Sequence, residues 1–183
     1  MAKLKMDTVM QVAVVVNDLE EGLRNFEKIL GYEEGSLSYS KSIDNINEGK
    51  LKDASYKGEI RPFHYVQHNF FLGGMDIEMF APEPGYEDES NPFTDFLKEN
   101  GGPGIHHINA RLVSREEGVE WIKRARPGQK VPLYDLIFNG RNCTYFDLRD
   151  ELGMTIEYGQ RIVGPRARMS EEELERLNAY RED

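Results

Sequence analysis

Four side chains of types that bind divalent metal ions occupy matching places in two halves of the chain. Gln11 and His107 each stand near the start of a predicted strand, and Glu78 and Glu157 each stand in a later one. One amide oxygen, one imidazole and two carboxylates suit an ion such as Zn, Co, Ni, Mn or Fe. The carboxylates also offset the cation's charge, which is costly to hold in a partly dry cleft. We therefore predict one divalent metal ion bound by these four residues.

The match between the two pairs is part of an internal repeat. Gln11 and His107 are 96 residues apart, and the same offset aligns EEG at 20–22 with EEG at 116–118 without a gap. Glu78 and Glu157 each end a Met-x-Ile-Glu tetrapeptide and are 79 residues apart, so the first half carries 17 more residues. The polar stretch 36–60, predicted to form a strand and a long loop, has room for them. Three matches in one chain order indicate a duplication.

Hydrophobic patterns and capping residues predict the same order of elements in both halves. In the first, Asp18 is an N-cap with Glu21 as its capping-box partner, and Gly31 ends the helix. Around that helix the first half has predicted strands at 11–16, 63–72 and 75–80, the last two joined by Gly73-Gly74, and a short helix at 92–100. The second half has predicted strands at 105–113, 133–138, 143–148 and 154–158, a helix from Ser114 to about residue 125, and a tail helix from Ser170 to about residue 180.

These elements predict an α+β protein in which two paired β-α-β-β-β modules form a curved open mixed sheet around a metal cleft. Residues 1–100 are the first module with a trailing short helix, and residues 101–160 are the second. Residues 161–183 are a tail that contains a C-terminal helix. If the modules pair with two-fold pseudosymmetry, the faces that carry the four predicted ligands line one cleft.

Two polar residues follow His107 on the same face of its strand. Strand side chains alternate between faces, so Asn109 and Arg111 should point the same way as His107. We predict that both residues bind the substrate and that Arg111 contacts a carboxylate or phosphate group of it. The alternative for Arg111 is an ion pair with Asp76 or Glu78 inside the cleft.

The remaining histidines are predicted to be structural. His106 is adjacent to His107 and, by alternation, should point to the opposite face. His64 and His68 lie in or near the third strand, where packing or surface positions are the expected roles.

Composition excludes several kinds of partner. The 183 residues include 23 basic and 33 acidic ones, a net charge of −10, which argues against nucleic acid and anionic membranes. The single Cys143, expected in a strand and partly buried, permits no internal disulfide, and no apolar leader follows the basic N-terminus. We expect a cytoplasmic protein that binds a small anionic or carbonyl-bearing substrate and forms a homodimer.

Four segments of the chain resemble the vicinal oxygen chelate superfamily of glyoxalases, bleomycin resistance proteins and dioxygenases. They are VMQVAVVVNDLEEGLRNFEKILGYEE, MDIEMFAPEPG, GPGIHHINARL and YFDLRDELGMTIEY, and the resemblance spans about residues 8–160. It implies metal ligands in the first and last strands of each module. By position these are Gln11, Glu78, His107 and Glu157, with Gln in place of the common first histidine.

Within that superfamily, GPGIHHI and IEMFAP are most similar to the methylmalonyl-CoA epimerases. This resemblance implies that a metal chelates the substrate's thioester and carboxylate oxygens while a glutamate removes the C2 proton. Glu157 is the first candidate for that base and Glu78 the second. The base that the epimerases carry on a middle strand has no clear equivalent here, because residues 36–63 do not align cleanly with them. Glu59 lies in this stretch but is not aligned with the base.

The alternatives to an epimerase are a glyoxalase I-like lyase, another isomerase or lyase of the superfamily, an extradiol dioxygenase and a metal-free binding protein. Glyoxalase I-like lyases share the Gln/Glu/His/Glu ligand set, but those that use glutathione carry an arginine where this chain has Val15. An extradiol dioxygenase needs two histidine ligands, and this site offers one. Metal-free binding proteins of the superfamily usually lack this ligand set, so the four ligand-type residues argue against that alternative.

Overall fold

The strands of this computed structural model lie in one mixed sheet that curls into a half-barrel. The structure describes residues 6–112, 120, 123–124, 128 and 132–159. Its strands are β1 (Met6–Val15), β2 (Ser38–Lys41), β3 (Leu51–Tyr56), β4 (Glu59–Ile60), β5 (Tyr65–Leu72), β6 (Met75–Pro82), β7 (Gly104–Leu112), β8 (Tyr134–Phe138), β9 (Arg141–Leu148) and β10 (Met154–Gly159). Its helices are α1 (Leu19–Ile29), α2 (Ser42–Asn47), α3 (Pro92–Asn100) and α4 (Arg149–Leu152).

The strand order is symmetric about the pair formed by β1 and β7. The sheet runs β2-β5-β6-β1-β7-β10-β9-β8-β3-β4. β1 and β7 are antiparallel to each other, and each has a parallel partner on its other side, β6 and β10 respectively. Without β3 and β4, the two halves of this order have equivalent strands at equivalent places. The predicted fold class, a curved open mixed sheet of paired modules, is confirmed.

Each of the two central strands has a β-bulge directly before its predicted metal ligand. In β7, Ala13 pairs with His107 and Val14 pairs with Ile105, so His106 is the extra residue. In β1, Val9 pairs with Ala110 and Gln11 pairs with Asn109. Met10 is therefore the extra residue. Met10 and His106 are 96 residues apart, the offset of the repeat. Bulges redirect side chains, so this pair of bulges affects how the ligands point.

The stretch 36–60 differs from the prediction of one strand and a long loop. It contains β2, the short helix α2 and the hairpin β3–β4, and β3 pairs with β8 on the far side of the sheet. Only nine residues connect β2 to β3, six of them in α2, so they span roughly 20 Å. Eight strand spacings of a flat sheet would separate the same strands by roughly 40 Å. The connection therefore requires the sheet to curl.

The hairpin β3–β4 is fastened to α3 by one carboxylate. Asp95 accepts hydrogen bonds from the hydroxyl of Tyr56 at 2.8 Å and from Nζ of Lys57 at 2.9 Å. Burial alone would raise the pKa of Asp95, but these hydrogen bonds hold it below its ordinary value. The carboxylate is therefore charged at neutral pH and joins the inserted hairpin to the first module.

Local sequence signals account for the helices that flank the sheet. Asp18 caps α1 by accepting a hydrogen bond from the Glu21 amide at 2.7 Å. Gly22 brings α1 close to the sheet, because a Cβ there would lie 2.9 Å from Val16 and 3.0 Å from Met79. Asn91 begins α3 with a complete capping box, and Gly101 ends it in the left-handed region at φ 72°.

Several predictions lie outside the described residues or shift slightly in their bounds. The strand predicted from residue 63 begins at Tyr65, and α4 was not predicted. The tail helix and most of the helix predicted after Ser114 fall outside the described ranges. Among the helices that the structure describes, none has the length and apolar character needed to cross a membrane.

Candidate metal centre

The concave face of the sheet encloses a cleft of about 380 Å³. Both aromatic and polar side chains line it. The aromatic residues are Phe63, Tyr65, Phe70, Phe71, Phe80, Phe93, Tyr134, Phe138 and Tyr145, and the polar ones include Ser36, Ser38, Ser40, Gln67 and Asn69. Gln11, Asp76, Glu78 and Glu157 also line the cleft. Three carboxylates thus face a largely apolar space.

Strand register places Glu78 and His107 on either side of a small residue. Ala13 of β1 pairs with Glu78 in β6 and with His107 in β7. Its methyl group is fully buried and leaves room above it for the longer side chains of both neighbours. Glu157 reaches the same point from β10, where it pairs with Asn109. These pairings bring the three side chains to one cleft, as expected if the two halves pair with two-fold pseudosymmetry.

Glu78, His107 and Glu157, here called the carboxylate–histidine cluster, converge on one point. Their ligand atoms all lie within 4.8 Å of one another. Nε2 of His107 is 3.4 Å from Oε2 of Glu157 and 3.6 Å from Oε2 of Glu78. The three residues are 8% exposed or less.

Unsatisfied polar atoms indicate that this cluster fits a cation. Nε2 of His107 and Oε2 of Glu157 are buried, and neither has a hydrogen-bond partner among the described residues. Such atoms are rare in folded proteins unless an ion or water binds them. Nitrogen and carboxylate oxygen are a common ligand set for divalent transition metals. The donor set and the unsatisfied atoms are therefore compatible with the predicted metal ion.

The two carboxylates of the cluster are held differently. Oε1 of Glu78 accepts hydrogen bonds from Nε2 of Gln67 and Nδ2 of Asn69, both at 3.1 Å. Glu157 instead contacts the thiol of Cys143. Burial, together with the charges of Glu157 and Glu78, raises the pKa of Cys143 well above its ordinary value. The thiol therefore keeps its proton and can donate only a weak hydrogen bond.

Gln11, the fourth predicted ligand, lines the same cleft and is oriented by two neighbours. Its Nε2 donates to Oδ2 of Asp76 at 2.9 Å, and its Oε1 lies 3.4 Å from Nδ2 of Asn109. The amide oxygen is thus turned away from Asp76. Whether Gln11 binds a metal stays a prediction.

Of the two predicted substrate-binding residues, Asn109 and Arg111, the structure describes the side chain of Asn109 alone. Asn109 is 3% exposed, and its Oδ1 has no hydrogen-bond partner in the described part of the chain. It lies between Gln11 and Glu157 in the strand register. Arg111 belongs to β7, but its side chain lies outside what the structure describes. Substrate contacts of both residues stay predictions.

His106 does not point away from His107, so that prediction is wrong. Nδ1 of His106 lies 2.8 Å from Nδ1 of His107, because the bulge at His106 breaks the alternation of β7. Burial lowers the pKa of His106 well below its ordinary value, and His107 adds to this effect. Burial also acts to lower the pKa of His107, but the carboxylates of Glu157 and Glu78 outweigh it and raise that pKa.

His64 and His68 have partners that do not belong to the cleft. His64 stacks on Tyr86 with ring centroids 3.7 Å apart and has Nδ1 3.1 Å from Glu89. Nε2 of His68 lies 3.2 Å from Glu20 on α1. Neither histidine lines the cleft, which agrees with the packing roles predicted for them.

Several residues that shape the site were not predicted from the sequence. Gln67 and Asn69 alternate along β5, a spacing that could have identified one polar strand face. Tyr145 contacts His107 edge to face at 5.0 Å and stacks on Tyr134 at 3.6 Å. Burial, followed by the charge of Glu157, raises the pKa of both tyrosines well above its ordinary value. These two tyrosines of the cleft lining are therefore uncharged.

Solved structures with a similar fold include an enzyme with a known activity. Methylmalonyl-CoA epimerase from Mycobacterium tuberculosis is similar over 89% of this chain and 93% of its own, with a TM-score of 0.56 and 15% sequence identity. A hypothetical protein from Bacillus halodurans C-125 is similar over 87% of this chain and 97% of its own, with a TM-score of 0.53 and 15% identity. No protein-family model and no curated protein matches the sequence. The chain therefore shares the curled mixed-sheet fold of these solved structures, which is the fold expected from the resemblance to the vicinal oxygen chelate superfamily.

Proposed function

We propose that this protein is a metal-dependent isomerase, of the epimerase kind, that acts on a carbonyl compound by moving a proton. The observation that carries the proposal is the carboxylate–histidine cluster, buried at the cleft with unsatisfied atoms on His107 and Glu157. An acyl-CoA thioester is the first substrate class to test, because the fold is shared with an epimerase of methylmalonyl-CoA.

Glu78, His107 and Glu157 would hold the metal, with Gln11 as the fourth ligand. A divalent cation at this point supplies Lewis acidity, which lowers the pKa of the carbon acid and stabilises negative charge on the carbonyl oxygen. The protein's own task is then to bind the carbonyl compound, exclude water and accept the proton from carbon.

Glu157 is the proposed proton acceptor. Its Oε2 has no hydrogen-bond partner among the described residues, whereas Glu78 is fixed by the amides of Gln67 and Asn69. A carboxylate with fewer restraints can turn from the cluster towards the substrate at lower cost. Glu78 keeps the role of ligand and is the second candidate for the base.

The aromatic and polar side chains that line the cleft would orient the substrate. Tyr134 and Tyr145 exclude water and remain neutral, since their pKa values are raised by burial and then by Glu157. Exclusion of water would lower the dielectric around Glu78, His107 and Glu157, which would strengthen the electrostatic effect of a cation held there. Hydroxyl and amide groups that line the cleft suit hydrogen bonds to the rest of the substrate.

Deuterium exchange tests this proposal directly. Metal-loaded protein incubated with methylmalonyl-CoA in deuterated water should exchange the C2 proton, and Glu157→Gln should abolish the exchange while retaining part of the metal. Glu83→Gln, which changes a carboxylate outside the cleft lining, is the matched control. Metal content is measured on protein purified without a nickel column. If wild-type protein takes up no divalent metal, the proposal fails. If it takes up metal without exchange, the thioester substrate is wrong.

A glyoxalase I-like lyase is the second candidate, and the side chain of Gln11 favours it. That amide is held by Asp76 with its oxygen directed away from the carboxylate, as a neutral first ligand requires. The ligand set is then Gln, Glu, His and Glu. To test it, hemithioacetals of several thiols replace methylmalonyl-CoA in the deuterium-exchange assay, and their conversion to product is measured as well. Conversion of hemithioacetals without deuterium exchange into methylmalonyl-CoA would favour the lyase.

A further inference from the structure

The bulge in β7 brings a second histidine against the predicted metal ligand. His106 and His107 are 1% and 0% exposed, and their Nδ1 atoms are 2.8 Å apart. His106 is surrounded by the rings of Phe93, Phe96 and Tyr134 with centroids 5.0–6.0 Å away. Such packing fixes the imidazole ring in one orientation.

The second contact of His106 determines where its proton lies. His106 also forms a hydrogen bond with the backbone of Pro92 at the start of α3. Proline has no backbone N–H, so the partner is its carbonyl oxygen, and a ring nitrogen of His106 must donate to it. Nδ1 of His106 faces His107, so Nε2 carries this proton. A neutral imidazole has a single N–H, which leaves Nδ1 of His106 as an acceptor.

The proton between the two histidines therefore belongs to His107. Two bare nitrogens at 2.8 Å would repel each other, so Nδ1 of His107 must donate to Nδ1 of His106. When His107 is neutral, its Nε2 then carries a lone pair. That atom is the one that faces the carboxylates of Glu78 and Glu157.

We infer that His106 is a positioning residue that fixes the metal-binding tautomer of His107. It accepts the Nδ1–H of His107 and directs the Nε2 lone pair of that ring to the point shared with Glu78 and Glu157. This inference rests on the proposed function in one respect, since it assumes that the cluster binds a metal. Gln11, the equivalent residue in β1, is oriented by Asp76 instead, because Met10 in the matching bulge cannot form such a hydrogen bond.

The proton positions can be measured in protein with and without metal. Two-bond ¹H–¹⁵N correlation spectra distinguish the ring nitrogens of each histidine. We expect His106 to carry its proton on Nε2 in both states, and His107 to carry its proton on Nδ1 alone when zinc is bound. A proton on Nδ1 of His106 in either state would overturn the inference.

Variants separate this role from packing. His106→Phe keeps an aromatic ring among its aromatic neighbours but removes the acceptor, and should raise the Kd for zinc about 10–100-fold in chelator competition. His106→Asn restores an oxygen near the position of Nδ1 and should recover most of the affinity. His68→Phe is the matched control, because it removes another buried histidine outside the cleft. Thermal unfolding of each metal-free variant measures any loss of folding separately.

The outcomes distinguish this inference from the proposed function. If wild-type protein binds zinc and His106→Phe binds it equally well, the positioning role is refuted and the metal site stands. If wild-type protein binds no divalent metal, the proposed function fails. The spectra of metal-free protein then still decide which histidine donates.

Discussion

Binding of zinc to the carboxylate–histidine cluster should raise the thermal stability of the protein. Two carboxylates lie within 3.6 Å of one imidazole nitrogen, and all three groups are almost fully buried. In metal-free protein, folding removes these two carboxylates from water and brings them close together, and the protein compensates this only in part. Their desolvation and mutual repulsion therefore lower the free energy of unfolding. A cation removes that cost in the folded state alone, because the unfolded chain separates the three ligands.

The size of the effect follows from the linkage between binding and folding. Free zinc at about a hundred times Kd adds about 2.7 kcal/mol to the free energy of unfolding. A chain of this length shifts its Tm by about 2–4 °C per kcal/mol, so the expected rise is about 5–10 °C. If Glu157→Gln raises Kd about a hundredfold, the same zinc concentration adds only about 0.4 kcal/mol, or a shift of about 1–2 °C.

Differential scanning calorimetry across a zinc titration, with protein concentration fixed, measures both shifts. Glu83→Gln should retain the wild-type rise, since Glu83 lies outside the cleft lining and pairs with Lys41. Equal rises in wild type and Glu157→Gln would refute the reasoning, because zinc would then bind elsewhere. A wild-type Tm that zinc leaves unchanged would refute the site itself.

Three further predictions concern the elements that position the site. Gly22→Ala should lower the free energy of unfolding in urea by about 1–3 kcal/mol through overpacking against Val16 and Met79, although the same change stabilises an unhindered helix. Asn91→Ala should cost about 1–2 kcal/mol in the same assay, because it removes a buried N-cap. Asp95→Asn should destabilise the protein at neutral pH. Since the pKa of Asp95 is lowered in the folded state, the difference from wild type should be full above the ordinary carboxyl pKa and vanish as pH falls through the folded value.

The repeat allowed much of the fold to be predicted, because its signal is independent of local propensity. Matched offsets identified equivalent strands, and the pairing of β1 with β7 agrees with the two-fold pseudosymmetry expected from them. The bounds predicted for α3, residues 92–100, agree with the structure, in which Asn91 and Gly101 cap its two ends. The internal repeat thus allowed the equivalent strands to be predicted, and local residue types allowed the bounds of this helix to be predicted.

The errors arose where structure depends on residues distant in the chain. The hairpin β3–β4 has few apolar residues, and its partner β8 begins at Tyr134, far along the sequence. No local pattern identifies such a pairing. The orientation of His106 was mispredicted because strict alternation assumes an unbroken ladder, whereas a bulge is defined only by the register of two strands.

The departures from symmetry at the site bear on its chemistry more than the symmetry does. Glu78 and Glu157 occupy equivalent positions, yet Glu78 is restrained by two amides and Glu157 has an unsatisfied oxygen. A symmetric pair of carboxylates would bind an ion equally well, but neither carboxylate would dissociate from the ion more readily than the other. Because one carboxylate is fixed and the other is less restrained, the same cluster can hold a cation and also accept a proton. Under the proposed function, this difference favours Glu157 over Glu78 as the residue that accepts the proton, while both modules contribute metal ligands.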